Sequence, residues 1–252
     1  MNKLLSLHPN KCNTACNNAH ICYMLSRNKK VPSRGFINEA VISNKIMKYI
    51  KANNNVKVYI AVCNFEDGIQ TIQNMHSMSN INMTINYRIY KDICTYIEGI
   101  SKNIEERIQV STYNTEQIKD ISDNTYALPL YLIKNEVTLE EAINLLMESK
   151  YRAHLNIYQG FVEKQLKMLF RIINEWTMSN STDISIDTCL ESYLIHRTCL
   201  YKDYYIDIDS YNQVRRCPFE KGGEDIRDRE IRKLYNIKYQ PNCIYKRIFG
   251  GN

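Results

Sequence analysis

Val56-Lys57-Val58-Tyr59-Ile60-Ala61-Val62-Cys63 is a nearly continuous apolar run, bounded by asparagines on both sides. Its length and composition are those of a strand covered on both faces, as in a parallel sheet packed between helices. The pattern on either side supports that reading. Upstream, residues 36–50 carry apolar side chains at helical spacing (Ile37, Val41, Ile42, Ile46, Met47, Ile50), and residues 4–8 form a first strand candidate.

Downstream the cycle repeats. The pattern predicts a short helix over 68–78, a strand over 81–90 and a helix over 91–103. A strand over 107–112, a helix over 115–122 and a strand over 126–133 follow. Thr138 with Glu141 three residues on has the form of a capping box opening the next helix. A strand over 152–158 and a long amphipathic helix over 161–176 complete six strand–helix units. Regular alternation argues for a parallel sheet with helices outside it. Six units fall short of the eight that close a complete barrel. The expected fold is α/β, a partial (β/α)6 TIM-like barrel over 1–178. A small cysteine-containing extension over 179–252 follows, in which 204–208 and 213–216 form a β-hairpin around Ser210, Tyr211 and Asn212.

Composition bounds the function. The 252 residues are 44% hydrophobic and 24% charged, ordinary for a globular chain, and no apolar run is long enough to cross a bilayer. The apolar stretch at Leu4–Leu7 is too short for a signal peptide, so a cytoplasmic location is expected. A net charge of +6 from scattered lysines and arginines reads as a solvated basic surface, and no recognised nucleic-acid-binding motif accompanies it. The charged stretch after Gly222 reads as a solvated helix with close charge pairs. The abundance of Asn, Ile, Lys and Tyr reads as coding bias.

Nine cysteines in a reducing compartment do not suggest a disulfide framework. Cys12, Cys16 and Cys22 fall within eleven residues, in a loop directly after the first strand. Thiolates are soft ligands that select zinc or iron–sulfur centres. A structural zinc would want a fourth ligand, for which His20 is the local candidate. Three thiolates on a [4Fe–4S] cluster would leave one iron open to a small molecule. Cys63 and Cys94 read as packing residues.

The stretch Leu5-Ser6-Leu7-His8-Pro9-Asn10-Lys11-Cys12-Asn13, leading to Cys16, Cys22, Tyr23 and Met24, resembles the signature of the radical S-adenosylmethionine (radical SAM) superfamily. There a strand delivers a C-x3-C-x2-C loop with an aromatic beside the last cysteine, in a six-unit partial barrel. The spacing here is C-x3-C-x5-C, and the usual third position falls on Ala19. The resemblance implies a [4Fe–4S] cluster on Cys12, Cys16 and Cys22, with S-adenosylmethionine as co-substrate. It also implies cleavage of the sulfonium to a 5′-deoxyadenosyl radical. Carried over by position, Tyr23, Glu66 (where the family often has Gly-Gly-Glu-Pro), Ser111 and Asn135 would contact the cofactor. His154, Asn156 and Tyr158 would share one sheet face lining a cavity.

Cys199 and Cys217, flanking the predicted hairpin with Asn212 at a turn position, resemble the auxiliary-cluster hairpin of SPASM and Twitch extensions. Cys189 and Cys243 would complete a four-thiolate set for a second [4Fe–4S] cluster. The implied partners are a peptide or small-molecule substrate and an electron donor such as a flavodoxin or ferredoxin. No catalytic side chain is assigned. The alternative is a non-catalytic iron–sulfur or zinc-binding protein built on the same fold.

Overall fold

A computed structural model describes residues 3–7, 40–112, 114–133, 136–147, 151–157, 167, 168, 171, 184–186, 199, 205–208, 213–216, 224–226, 230 and 233. It shows a mixed α/β protein in two compact units, one of residues 1–108 and 201–242, the other of residues 109–200 and 243–252. Among the described residues, no helix is long and apolar enough to cross a membrane.

The first unit contains β1 (Lys3–Leu7), α1 (Ala40–Ala52), β2 (Val56–Val62), α2 (Phe65–Ser77), β3 (Ile81–Asn86), α3 (Tyr87–Tyr96) and the short α4 (Lys102–Glu105). Its sheet continues far along the chain with β8 (Tyr205–Ile208), β9 (Gln213–Arg215) and β10 (Glu224–Asp225), in the order β10-β9-β8-β1-β2-β3. β8, β1, β2 and β3 are parallel, while β9 and β10 are antiparallel additions at one edge. The expected hairpin is therefore present, and it is also a strand partner of β1.

The second unit contains β4 (Ile108–Thr112, whose first residue belongs to the first unit), α5 (Thr115–Asn124), β5 (Leu128–Ile133), α6 (Glu136–Met147) and β6 (Ala153–Ile157). A further parallel strand, β7 (Ile184–Ile186), pairs with β6 through Ala153↔Ile184 and Leu155↔Ile186. Of the expected helix over 161–176, only Lys167, Met168 and Arg171 are described, and all three are helical.

Asparagine does much of the local work. Asn64 Oδ1 accepts from the Asp67 amide at 2.9 Å, Asn86 Oδ1 from Ile89 at 3.0 Å and Asn114 Oδ1 from Glu116 at 2.8 Å. Each of these three strand-to-helix junctions thus satisfies an amide that a helix start leaves without an intrahelical partner. These caps correct three expectations. α2 begins at Phe65 rather than at 68, and β3 stops at Asn86 rather than running to 90, because the caps fix both helix starts. Coding bias is also too small a role for asparagine here. α6 begins at Glu136, so Thr138 lies inside its first turn and is not its cap.

The sheet face under the helices is dry. Leu5, Leu7, Val58, Ile60, Ile81, Met83 and Ile85 are each at most 5% exposed. The register Leu5↔Val58↔Ile81 puts them side by side. Gly68 lets α2 sit close on this layer, since a Cβ there would collide with Ile93 Cδ1 of α3. The opposite face departs from the expectation of cover on both sides. Along β2 the exposed Lys57 and half-buried Tyr59 and Ala61 alternate with buried valines and Ile60. The run is continuous in hydropathy because Tyr and Ala score as apolar, yet only one of its faces is closed.

Candidate functional site

Parallel α/β folds gather ligands at the carboxyl ends of strands. In the first unit β1 ends at Leu7, paired with Ile60 of β2 and Ile208 of β8. From there the chain enters the segment carrying Cys12, Cys16, Cys22 and Tyr23, which lies outside the described residues, as do Asn135, Cys189, Cys217, Cys243, His20 and Tyr158.

At the end of β2, Asn64 holds Asp67 doubly. Beyond the cap bond, its Nδ2 donates to Asp67 Oδ2 at 2.7 Å. Glu66 stands exposed in the first turn of α2, where a carboxylate suits the helix dipole. Cys63 and Cys94 are half-buried, more accessible than core packing would make them.

The half-open face of this sheet carries a row of polar side chains across five strands. Register places Arg215, Asp207, Ser6, Tyr59 and Asn82 side by side. Asp207 is fully buried and Arg215 is 5% exposed. The Tyr205 hydroxyl lies 3.4 Å from Asp207 Oδ1, and Asn82 Nδ2 donates to the Val58 carbonyl at 3.2 Å. Sequence reasoning missed this row. Its signal was the alternation of Tyr205-Ile206-Asp207-Ile208, which put a carboxylate on an otherwise apolar strand.

In the second unit, Ser111 of β4, Leu130 of β5, His154 of β6 and Ser185 of β7 occupy one register row. Asn156 lies on the same face two residues beyond His154. Ser111, His154 and Asn156 are half-buried. Burial pushes the His154 imidazole down to about 4, so it is neutral at physiological pH. It can donate from one ring nitrogen and accept at the other. The opposite face of these strands is apolar, with Val110, Ile133, Ala153 and Leu155 each fully buried. Ser111 thus shares its face with His154 and Asn156.

At the base of the hairpin, Arg216 Nε donates to the Tyr205 carbonyl at 3.1 Å, and Cys217 is the next residue along the chain. Cys199 is half-buried, six positions before Tyr205. Among the described residues no three His, Cys, Asp or Glu side chains group as a metal would require.

No protein-family model matches the chain, and no similar curated protein or solved structure was found.

Proposed function

We propose that the chain is a radical S-adenosylmethionine enzyme, with Cys12, Cys16 and Cys22 holding a [4Fe–4S] cluster. One observation carries the reading: β1, a parallel strand paired on both sides, ends at Leu7 and feeds directly into three closely spaced cysteines. When bound, the cluster supplies one electron to the sulfonium of S-adenosylmethionine, giving methionine and a 5′-deoxyadenosyl radical. The protein's part is to position the co-substrate and exclude side reactions. In this reading Tyr23, Glu66, Ser111 and Asn135 face the co-substrate, and β1–β6 form a partial (β/α)6 barrel. Cys189, Cys199, Cys217 and Cys243 hold an auxiliary cluster beside the hairpin. The substrate is a peptide or small metabolite, the electron donor a flavodoxin or ferredoxin, and the setting the cytoplasm.

A second reading, a metal-binding protein without catalysis, is favoured by Glu66. Its exposed place in a capped first turn is that of a solvated helix-start carboxylate.

Anaerobic reconstitution with iron and sulfide, then reduction with S-adenosylmethionine present, separates the two. The enzyme yields 5′-deoxyadenosine, and Cys12→Ala abolishes the product. A bound cluster with no cleavage supports the second reading. Stoichiometric zinc with no brown chromophore removes the iron–sulfur assignment altogether.

A further inference from the structure

The last turn of α3 carries an aromatic side chain that folding does not bury. Tyr96 is 71% exposed, more than any other large apolar side chain among the described residues. Its ring meets that of Phe65, the half-buried first residue of α2, with centroids 5.3 Å apart and planes at 85°. In such an edge-to-face pair one ring presents its rim to the other's face. Tyr96 therefore keeps at least one face open, whichever ring gives the rim. The contact also holds that face in place beforehand, which lowers the ordering cost of binding. Phe65 follows the end of β2, at the carboxyl edge where parallel sheets gather ligands.

The electrostatics around the ring have one sign. Asp92 lies one helical turn before Tyr96 on the same side of α3, and Glu98 follows Tyr96 two residues on. Both are exposed, and among the described residues neither side chain makes an ion pair or a hydrogen bond. α3 has no basic side chain in its last turn, so the negative end of its dipole meets no cation of its own helix. Arg88 and Lys91 stand in the first half of that helix. A ring face is itself negative. Carboxylates, helix end and ring all favour a cation, on a chain whose net charge is +6. The open face is flat, which suits a planar cation that stacks on it while its N–H fork reaches a carboxylate. We infer that Tyr96, with Phe65 against it and Asp92 beside it, docks an arginine side chain of a partner polypeptide. A free amino acid would bring its own carboxylate into these acidic surroundings. The inference does not rest on the iron–sulfur reading, and Glu66, given there to the co-substrate, is not used.

The test titrates the full chain, isotopically labelled at tyrosine, with N-acetyl glycyl-arginyl-glycinamide, and follows the ring resonances by NMR. The Tyr96 signal is the one absent from Tyr96→Phe. It should shift and saturate with the arginine peptide. The lysine counterpart and free arginine should each bind at least about threefold more weakly, and the norleucine counterpart should leave the signal in place. Asp92→Asn should weaken the arginine peptide about twofold or more, and raised salt should do the same. These substitutions are at exposed positions, so folding is not at stake. A Tyr96 signal that does not move overturns the inference. So does equal binding of the norleucine peptide, which would make the surface a plain apolar patch. Equal binding of the lysine peptide removes the guanidinium, equal binding of free arginine removes the polypeptide partner, and unchanged affinity in Asp92→Asn removes the carboxylate; each overturns the assignment.

Discussion

The two units share one design and differ in what they bury on the polar side of their strands. Each sets a dry, helix-covered face against a face of alternating polar residues. In the first unit that second face encloses full charges, Asp207 and, opposite it in register, Arg215, each at most 5% exposed. In the second unit the equivalent row holds the Ser111 hydroxyl, Leu130 and an imidazole that burial keeps neutral. A buried charge must be answered by an opposite charge or by hydrogen bonds, so it fixes one arrangement of its strands. A neutral polar row makes no such demand on its strands. The first unit's row therefore reads as a structural lock, and the second unit's as the more adaptable surface.

The largest expected effect breaks the lock. Arg215→Met removes the cation directly opposite Asp207 and leaves the carboxylate buried. It should cost about 3–5 kcal/mol, seen as a lower urea midpoint with an unchanged slope. A loss within 1 kcal/mol would show that Asp207 does not depend on the residue facing it. The double variant Arg215→Met with Asp207→Leu should recover most of the loss, because burying neither charge avoids the desolvation cost.

The second prediction concerns His154. Its folded value of about 4 lies below the ordinary 6.5, so between those limits only the unfolded chain takes up the proton. Stability is then complete above about pH 6.5 and falls as pH drops towards 4, by about 3 kcal/mol in all. Urea melts across that window should show the decline, and His154→Gln should flatten it. An unchanged slope in the variant would mean that carboxylates elsewhere carry the acid sensitivity.

The amino edge of the first unit supplies a third, smaller effect. Arg107 donates to the carbonyls of Met75 at 2.8 Å, Met78 at 2.9 Å and Ile81 at 3.0 Å, closing the end of α2 and the start of β3. Arg107→Ala should cost about 2 kcal/mol, since these three carbonyls and that of Asn103, which Nε reaches at 3.0 Å, lose a charged donor at a partly solvated position. Iron binding, placed by the proposal at the opposite edge, should be unaffected. A large fall in iron would mean that the two edges are not independent.

How far these features could be foreseen differs by kind. Alternation of apolar runs sufficed for the strands, since β1, β2, β4 and β6 fall within a residue or two of the expected bounds. It failed at Asn86 and Glu136. Hydropathy does not register a side-chain cap, and Tyr87 to Tyr90 look equally apt for a strand or a helix. The hairpin was legible from its turn residues, but its pairing with β1 was not, because nothing local in either segment encodes a partner two hundred residues away. The same limit hid the polar row of the first unit, which exists only once five strands are in register. Of the candidate site, the alternation of His154 and Asn156 on one face was readable, whereas the neutrality of the imidazole follows from burial, which a sequence does not state.

The smallest prediction sharpens the contrast, because among the described residues each unit buries one tyrosine completely. Tyr90 in the first unit donates its hydroxyl to Glu105 Oε1 at 2.6 Å. Tyr131 in the second has, among the described residues, no hydrogen-bond partner for its buried hydroxyl. Burial, and then the negative charge of Glu141, push that phenol up to about 12, so it stays protonated throughout the usual range. Identical substitutions should therefore act in opposite directions. Tyr90→Phe removes a charge-assisted bond and should cost about 1–2 kcal/mol. Tyr131→Phe removes a desolvated hydroxyl that gains nothing in return, and should be neutral or stabilise by about 1 kcal/mol. Thermal melts of the two variants side by side give the comparison. Equal destabilisation by both would mean that the Tyr131 hydroxyl is satisfied by an internal water, and the second unit would then be as fully hydrogen-bonded in its core as the first.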